Sequence, residues 1–192
     1  QIIATAHGDP NIAASVTLTV RQPYTLVLDA NGGYILPGLI DAHTHIGICE
    51  ESSGGMGNDC NESSSPVTPE MRAIDGVNPW DPSIKKSRDA GVITVGVCPG
   101  SANVIGGTFT AIKLHGDNVD DMILREAIAM KIAMGENPKG CYGQQGKKTP
   151  VTRMAIAALL RGTLAKAKKY AADIALADAE NNGSSTHSNH PF

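Results

Sequence analysis

The chain has 192 residues, 41% hydrophobic and 18% charged, which is enough apolar surface to bury a core and too much for a chain disordered by composition. With 16 basic and 19 acidic residues the formal net charge is −3, which excludes the broad positive field of a nucleic-acid-binding protein and the basic block of a membrane-surface segment. No apolar run approaches the length of a membrane-spanning helix, so the partner class that remains is a small, near-neutral molecule or a peptide.

In chain order, residues 12–20 and 24–28 carry alternating or β-branched apolar side chains broken by Arg21-Gln22-Pro23, and they read as short strands. Asn31-Gly32-Gly33 reads as a turn, because these residues accept positive φ cheaply. The stretch Tyr34-Ile35-Leu36-Pro37-Gly38-Leu39-Ile40-Asp41-Ala42-His43-Thr44-His45-Ile46-Gly47 follows. It is apolar until two histidines appear at i and i+2, a spacing that points both imidazoles to one side of an extended strand. A strand apolar on both sides fits a buried parallel sheet, whose carboxyl ends are where α/β folds place their chemistry.

Residues 49–69 shift to Gly, Ser, Asn and Glu and read as a long loop over the mouth of any site at that strand end. Asp81-Pro82 has the composition of a helix cap and first turn, and Gly91 that of a helix stop. Val92-Ile93-Thr94-Val95-Gly96-Val97 is then a buried strand, and the order strand, loop, helix, strand predicts a right-handed βαβ unit. The glycines of residues 99–107 lie at a second carboxyl end, but their spacing is not a dinucleotide fingerprint. Residues 109–114 read as extended, and a Met stripe at helical spacing predicts a helix over 120–134. Thr149-Pro150 is expected to open a long amphipathic helix ending near Glu180, followed by a polar tail whose His187 and His190 read as solvated. The cysteines Cys49, Cys60, Cys98 and Cys141 lack zinc-ribbon spacing and read as free thiols.

The stretch around His43 and His45 resembles the first-strand signature of the metal-dependent amidohydrolases, the superfamily that includes imidazolonepropionase, dihydroorotase and the urease catalytic subunit. Residues 54–61, Val67-Thr68-Pro69, residues 72–79, residues 99–107 and Met130-Lys131-Ile132-Ala133-Met134-Gly135-Glu136-Asn137-Pro138 all look like its imidazolonepropionase-like branch, so the likeness runs from about Asp29 onward. The resemblance implies an α/β fold: the first βα units of a (β/α)8 TIM-type barrel over residues 37–180, a β-rich segment from a small β-sandwich over 1–36, and a polar tail over 181–192. It implies a divalent metal, zinc above others, held by His43 and His45, with further ligands on later strands that would lie beyond Phe192: more histidines, often a carbamylated lysine, and an aspartate.

A catalytic zinc normally has three protein ligands and an open position, so two histidines are an incomplete set. Lys113, in an apolar strand-like context, is the candidate third ligand; His115, before a Gly-Asp-Asn turn, reads as exposed. Asp41 either fixes an imidazole or caps a neighbouring backbone group. Glu50, Glu51, Ser101 and Asn103 are candidate substrate contacts, and no catalytic acid or base is assigned.

Two functions are therefore expected. The first is a hydrolase of C–N amide bonds in a cyclic amide or small peptide, acting through a metal-activated water, here as an N-terminal fragment inactive alone. The alternative is a non-enzymatic structural or self-assembling protein derived from a truncated amidohydrolase. The expected partners are a small-molecule or peptide substrate and either a second copy or the missing half, without nucleic acid or membrane. The expected location is cytoplasmic, with secretion left open because the chain begins at Gln1.

Overall fold

The computed structural model describes residues 19–21, 25–27, 29–51, 53–144 and 149–184. Strands β1 (Thr19–Arg21) and β2 (Thr25–Val27) form an antiparallel pair. The reading of residues 12–18 as strand, and the tail with His187 and His190, lie outside the described residues. The expected turn follows: Asn31 and Gly32 take φ of 46° and 80°, and the Gly33 N–H closes the turn on the Ala30 carbonyl at 2.7 Å.

The fold is mixed α/β, built on a four-stranded sheet of order β3-β4-β5-β6: β3 (Leu39–Thr44), β4 (Val92–Val97), β5 (Ile105–Lys113) and β6 (Ile123–Ile132). β3 and β4 are parallel and joined through α1 (Pro82–Asp89), as the predicted βαβ unit requires. Asp81 caps α1 by accepting the Ser83 N–H, Pro82 takes the first turn, and Gly91 turns the chain at φ of 95°. The pairs β4–β5 and β5–β6 are antiparallel, so the described sheet is not the all-parallel sheet of a barrel.

Two expectations change here. β3 is parallel as predicted but among the described residues it is an edge strand, with β4 as its one neighbour and Leu39 and Ile40 61% and 74% exposed. The helix predicted over 120–134 is one turn, α2 (Val119–Met122), capped by the Asn118 side chain on the Asp121 N–H, followed by β6. Leu124, Arg125, Glu126, Ala127, Met130 and Lys131 are good helix formers, but pairing along β5 overrides that weak preference. Ala127, at φ of 47°, lies where the register of β6 shifts against β5.

The main core packs Ile48, Ile74, Ile84, Val95, Val97, Ile112, Leu114 and Met122 between the sheet, α1 and the turn Ala73–Gly76. The second cluster joins Val104 and Ile105 to Ile156 of the long helix α4 (Arg153–Ser184), after the short α3 (Glu136–Lys139). Thr152, rather than Thr149, caps α4 by accepting the Ala155 N–H, and the helix continues past Glu180 to Ser184. The free-thiol reading of the cysteines is corrected in part: Cys49 and Cys60 form a disulfide, while Cys98 and Cys141 are free. Their separation of 11 residues carries no spacing signature; it is the folding back of the loop, with Asp59 N–H on the Ile48 carbonyl, that brings them together. Among the described residues no helix is long and apolar enough to cross a membrane.

Candidate metal centre

The carboxyl ends of β3 and β4 lie side by side because the parallel register sets Thr44 against Val97, and the Cys98 N–H extends it by donating to the Thr44 carbonyl at 3.0 Å. Gly96 permits this approach: a Cβ there would stand 2.5 Å from the Ala42 carbonyl oxygen, so no larger residue fits without moving backbone. His43, His45 and Cys98 meet at this end, their ligand atoms all within 4.8 Å of one another.

Each side chain is held from a different direction. The His45 Nδ1–H donates to the Cys98 carbonyl at 2.7 Å, which fixes the ring and leaves Nε2 with its lone pair. The two imidazoles stand edge to face with centroids 5.3 Å apart, and Phe109 of β5 flanks His43 at 5.9 Å. Lys131, from β6, is buried and its Nζ donates to His43 Nε2 at 2.9 Å. The Cys98 thiol is fully buried and lies 3.7 Å from His45 Nδ1 and 3.5 Å from the Thr44 carbonyl. Burial pushes that thiol up from its ordinary value; the positive charge of Lys131 works against this and Asp41 with it. Two imidazoles and a thiol are a donor set that suits zinc and related ions, so the residues present fit a divalent metal.

The other candidates are distributed as follows. Asp41 accepts the His43 backbone N–H at 3.1 Å, the backbone-capping alternative rather than a contact with an imidazole. Lys113 pairs with Thr94 in the β4–β5 register and its Nζ donates to Thr94 Oγ1 at 2.9 Å, three residues back from the strand end that carries Cys98. His115 is exposed. Glu50 accepts the Ser53 hydroxyl, and Glu51 pairs with Lys86 at 2.5 Å; both are half-buried, as is Ser101. Asn103 is buried, and its amide is committed internally: Nδ2 donates to the Glu62 carbonyl and to Thr68 Oγ1, and Oδ1 accepts from the Tyr142 hydroxyl at 2.5 Å. Burial pushes the Tyr142 hydroxyl up to about 12.

Sequence reasoning missed Cys98 and Lys131. Cys98 had a signal, since it directly follows the strand predicted to pair with the His-x-His strand. Lys131 lay inside a stretch that resembles the family, but the helical reading of residues 120–134 placed it among packing methionines. The loop after β3 does flank this end: its Cys60 carbonyl accepts the Gly100 N–H at 2.6 Å. A cavity of about 360 Å³ lies between loop and strand end, lined by Ile48, Asn61, Glu62, Arg72, Asp75 and Pro99 among others. The turn after His45 is anchored from α1, where the Asp81 carboxylate accepts the N–H groups of Gly47, Glu51 and Ser83.

No protein-family model matches the chain. The chain is 36% identical to the protein named Amidohydrolase tasK of Hapsidospora irregularis over an alignment of 141 residues, covering 67% of this chain and 14% of that protein. A crystal structure of an amidohydrolase from Thermotoga maritima MSB8 superimposes with a TM-score of 0.73 at 42% identity, covering 76% of this chain and 38% of that one. The chain thus spans well under half the length of either relative.

Proposed function

Because the chain is related, over part of its length, to the amidohydrolase superfamily, we propose that it forms the metal-holding end of a hydrolase that cleaves C–N amide bonds in a cyclic amide or small peptide. The observation that carries this reading is the meeting of His43 and His45 with Cys98 at the adjoining ends of two parallel strands. In this reading β3, α1 and β4 are the first βαβ unit of a TIM-type barrel, and β5 and β6 are an antiparallel hairpin set beside it.

His43 and His45 hold the ion, for which zinc suits the donors best. When bound there, a divalent ion supplies Lewis acidity and brings the pKa of a coordinated water to about 7. The rest is the work of the chain: the Cys98 carbonyl orients His45, Phe109 walls His43, and Asp81 fixes the turn that follows. The contact of Lys131 with His43 supports Lys131, rather than Lys113, as the lysine of the site. Glu50, Glu51 and Ser101 remain the proposed substrate contacts, since each keeps some accessible surface. The Asn103 amide is committed to Glu62, Thr68 and Tyr142, which argues against a direct substrate contact. The Cys49–Cys60 disulfide favours an oxidising compartment over the cytoplasm.

The test is the metal content and amide-hydrolysing activity of the full-length protein. We expect a bound divalent ion in the wild type and loss of both ion and activity in His43→Ala; a metal-free wild type whose activity survives H43A overturns the proposal.

Self-association is the second reading, and a specific observation favours it. Apolar side chains stand exposed on both outer strands and along α4, among them Ile40 at 74%, Leu124 at 57% and Leu164 at 55%. Sedimentation over a range of concentrations checks it, and a monomer throughout counts against it.

A further inference from the structure

We propose that Cys98 supplies a thiolate to the metal centre beside His43 and His45, and that the centre therefore selects thiophilic ions such as zinc, cadmium and cobalt over magnesium, calcium and manganese. This rests on the metal reading above and goes beyond it, because the resemblance implies histidine, lysine and aspartate ligands and no cysteine.

Three observations carry it. First, Cys98 is free while Cys49 and Cys60 are joined, and its sulfur is within 4.8 Å of the donor atoms of both histidines. Second, one residue performs two tasks at the same point: the Cys98 carbonyl takes the Nδ1–H of His45, and its side chain turns back toward that ring, 3.7 Å away. Cys98 thereby fixes the orientation of the His45 ring from the end of β4 and keeps its own sulfur beside that ring, at the end of β3. Third, the Cys98 side chain is fully buried and its thiol donates to the Thr44 carbonyl at 3.5 Å, which holds the sulfur at the end of β3 where the histidines stand.

The chemistry follows from softness. Imidazole nitrogen accepts zinc, copper, iron and nickel alike, whereas a thiolate adds strongly to the binding of soft and borderline ions and little to that of oxygen-seeking ones. As the metal–sulfur bond forms, the S–H bond breaks and its proton leaves to solvent; nothing is oxidised or reduced. The hydrogen bond from the thiol to the Thr44 carbonyl, 3.5 Å long, is lost in the exchange.

The experiment loads the full chain with cobalt(II) and reads its absorption. The expected result is a near-ultraviolet sulfur-to-cobalt charge-transfer band in the wild type, absent in Cys98→Ser and retained in Cys141→Ser, the other free cysteine. In competition titrations C98S is expected to lose about tenfold or more in cadmium affinity, at least the loss that follows removal of an outer-shell partner, with manganese affinity unchanged. Cobalt bound with imidazole-type visible absorption and no charge-transfer band overturns the cysteine ligand and leaves the two histidines standing. Failure of the wild type to bind cobalt at all overturns both readings. The wild-type spectrum decides without any variant, so a C98S chain that does not fold leaves the outcome readable.

Discussion

The two ends of the sheet are built on opposite terms. Where β3 and β4 finish, Val97, Cys98 and Val104 are fully buried and the His45 ring and the Cys98 N–H are hydrogen-bonded; along β6 almost every side chain but Lys131 is exposed. The first region ranges from the exposed His43 through the half-buried His45 to the fully buried Cys98, so its side chains are held from the Cys98 side. The second is an edge strand of the described sheet that leaves Leu124, Ile128, Met130 and Ile132 exposed.

The largest effect expected from this contrast is on stability. Ile112 in β5 is fully buried and Ile128 in β6 is 42% exposed. Ile112→Ala is expected to cost about 3 kcal/mol, as lost transfer energy plus a cavity, while Ile128→Ala stays within about 0.5 kcal/mol. Urea unfolding of the two variants measures the difference, and near-equal losses would mean that β6 is covered in solution.

Asp81 ranks next. Burial raises its carboxyl, but the bonds it accepts from the Ser83 hydroxyl and from the N–H groups of Glu51, Ser83 and Gly47 outweigh this, and its pKa lies below the usual 3.8. A carboxylate whose folded value is depressed adds stability above its unfolded value, and that stability disappears as pH falls through the folded one. Asp81→Ala is therefore expected to cost about 1–2 kcal/mol near neutral pH, through the lost cap and the unmet donors of the turn, and less at an acid pH below the folded value. A loss of equal size at both pH values would show that the charge on Asp81 contributes nothing.

What could be read from the residues follows the same division. The His-x-His strand, β4, the cap of α1 and the turn at Asn31 are set by neighbours in sequence, so patterning reveals them. β6 is decided by its partner across the sheet; its own residues favour helix, and the winning term is long-range pairing. The disulfide was invisible for a similar reason, since it depends on the loop folding back rather than on spacing. At the site itself, the residues that lie on β3 were legible, whereas Cys98 and Lys131 enter from β4 and β6 and needed the sheet order.

The smallest expected effect tests that last point most directly. Lys113 and Lys131 are both strand lysines in apolar surroundings, and sequence alone favoured Lys113. In the fold Lys113 is exposed and bonds Thr94 away from the strand ends, whereas Lys131 is buried against His43. Lys113→Met removes one hydrogen bond at a solvated position and is expected to change stability by no more than about 0.5 kcal/mol and metal affinity not at all. Lys131→Met is expected to change divalent-ion affinity by about tenfold or more, because it removes the cation that donates into the Nε2 lone pair of His43. If K113M changed the affinity and K131M did not, the sheet order that brings β6 across to His43 would itself be in error.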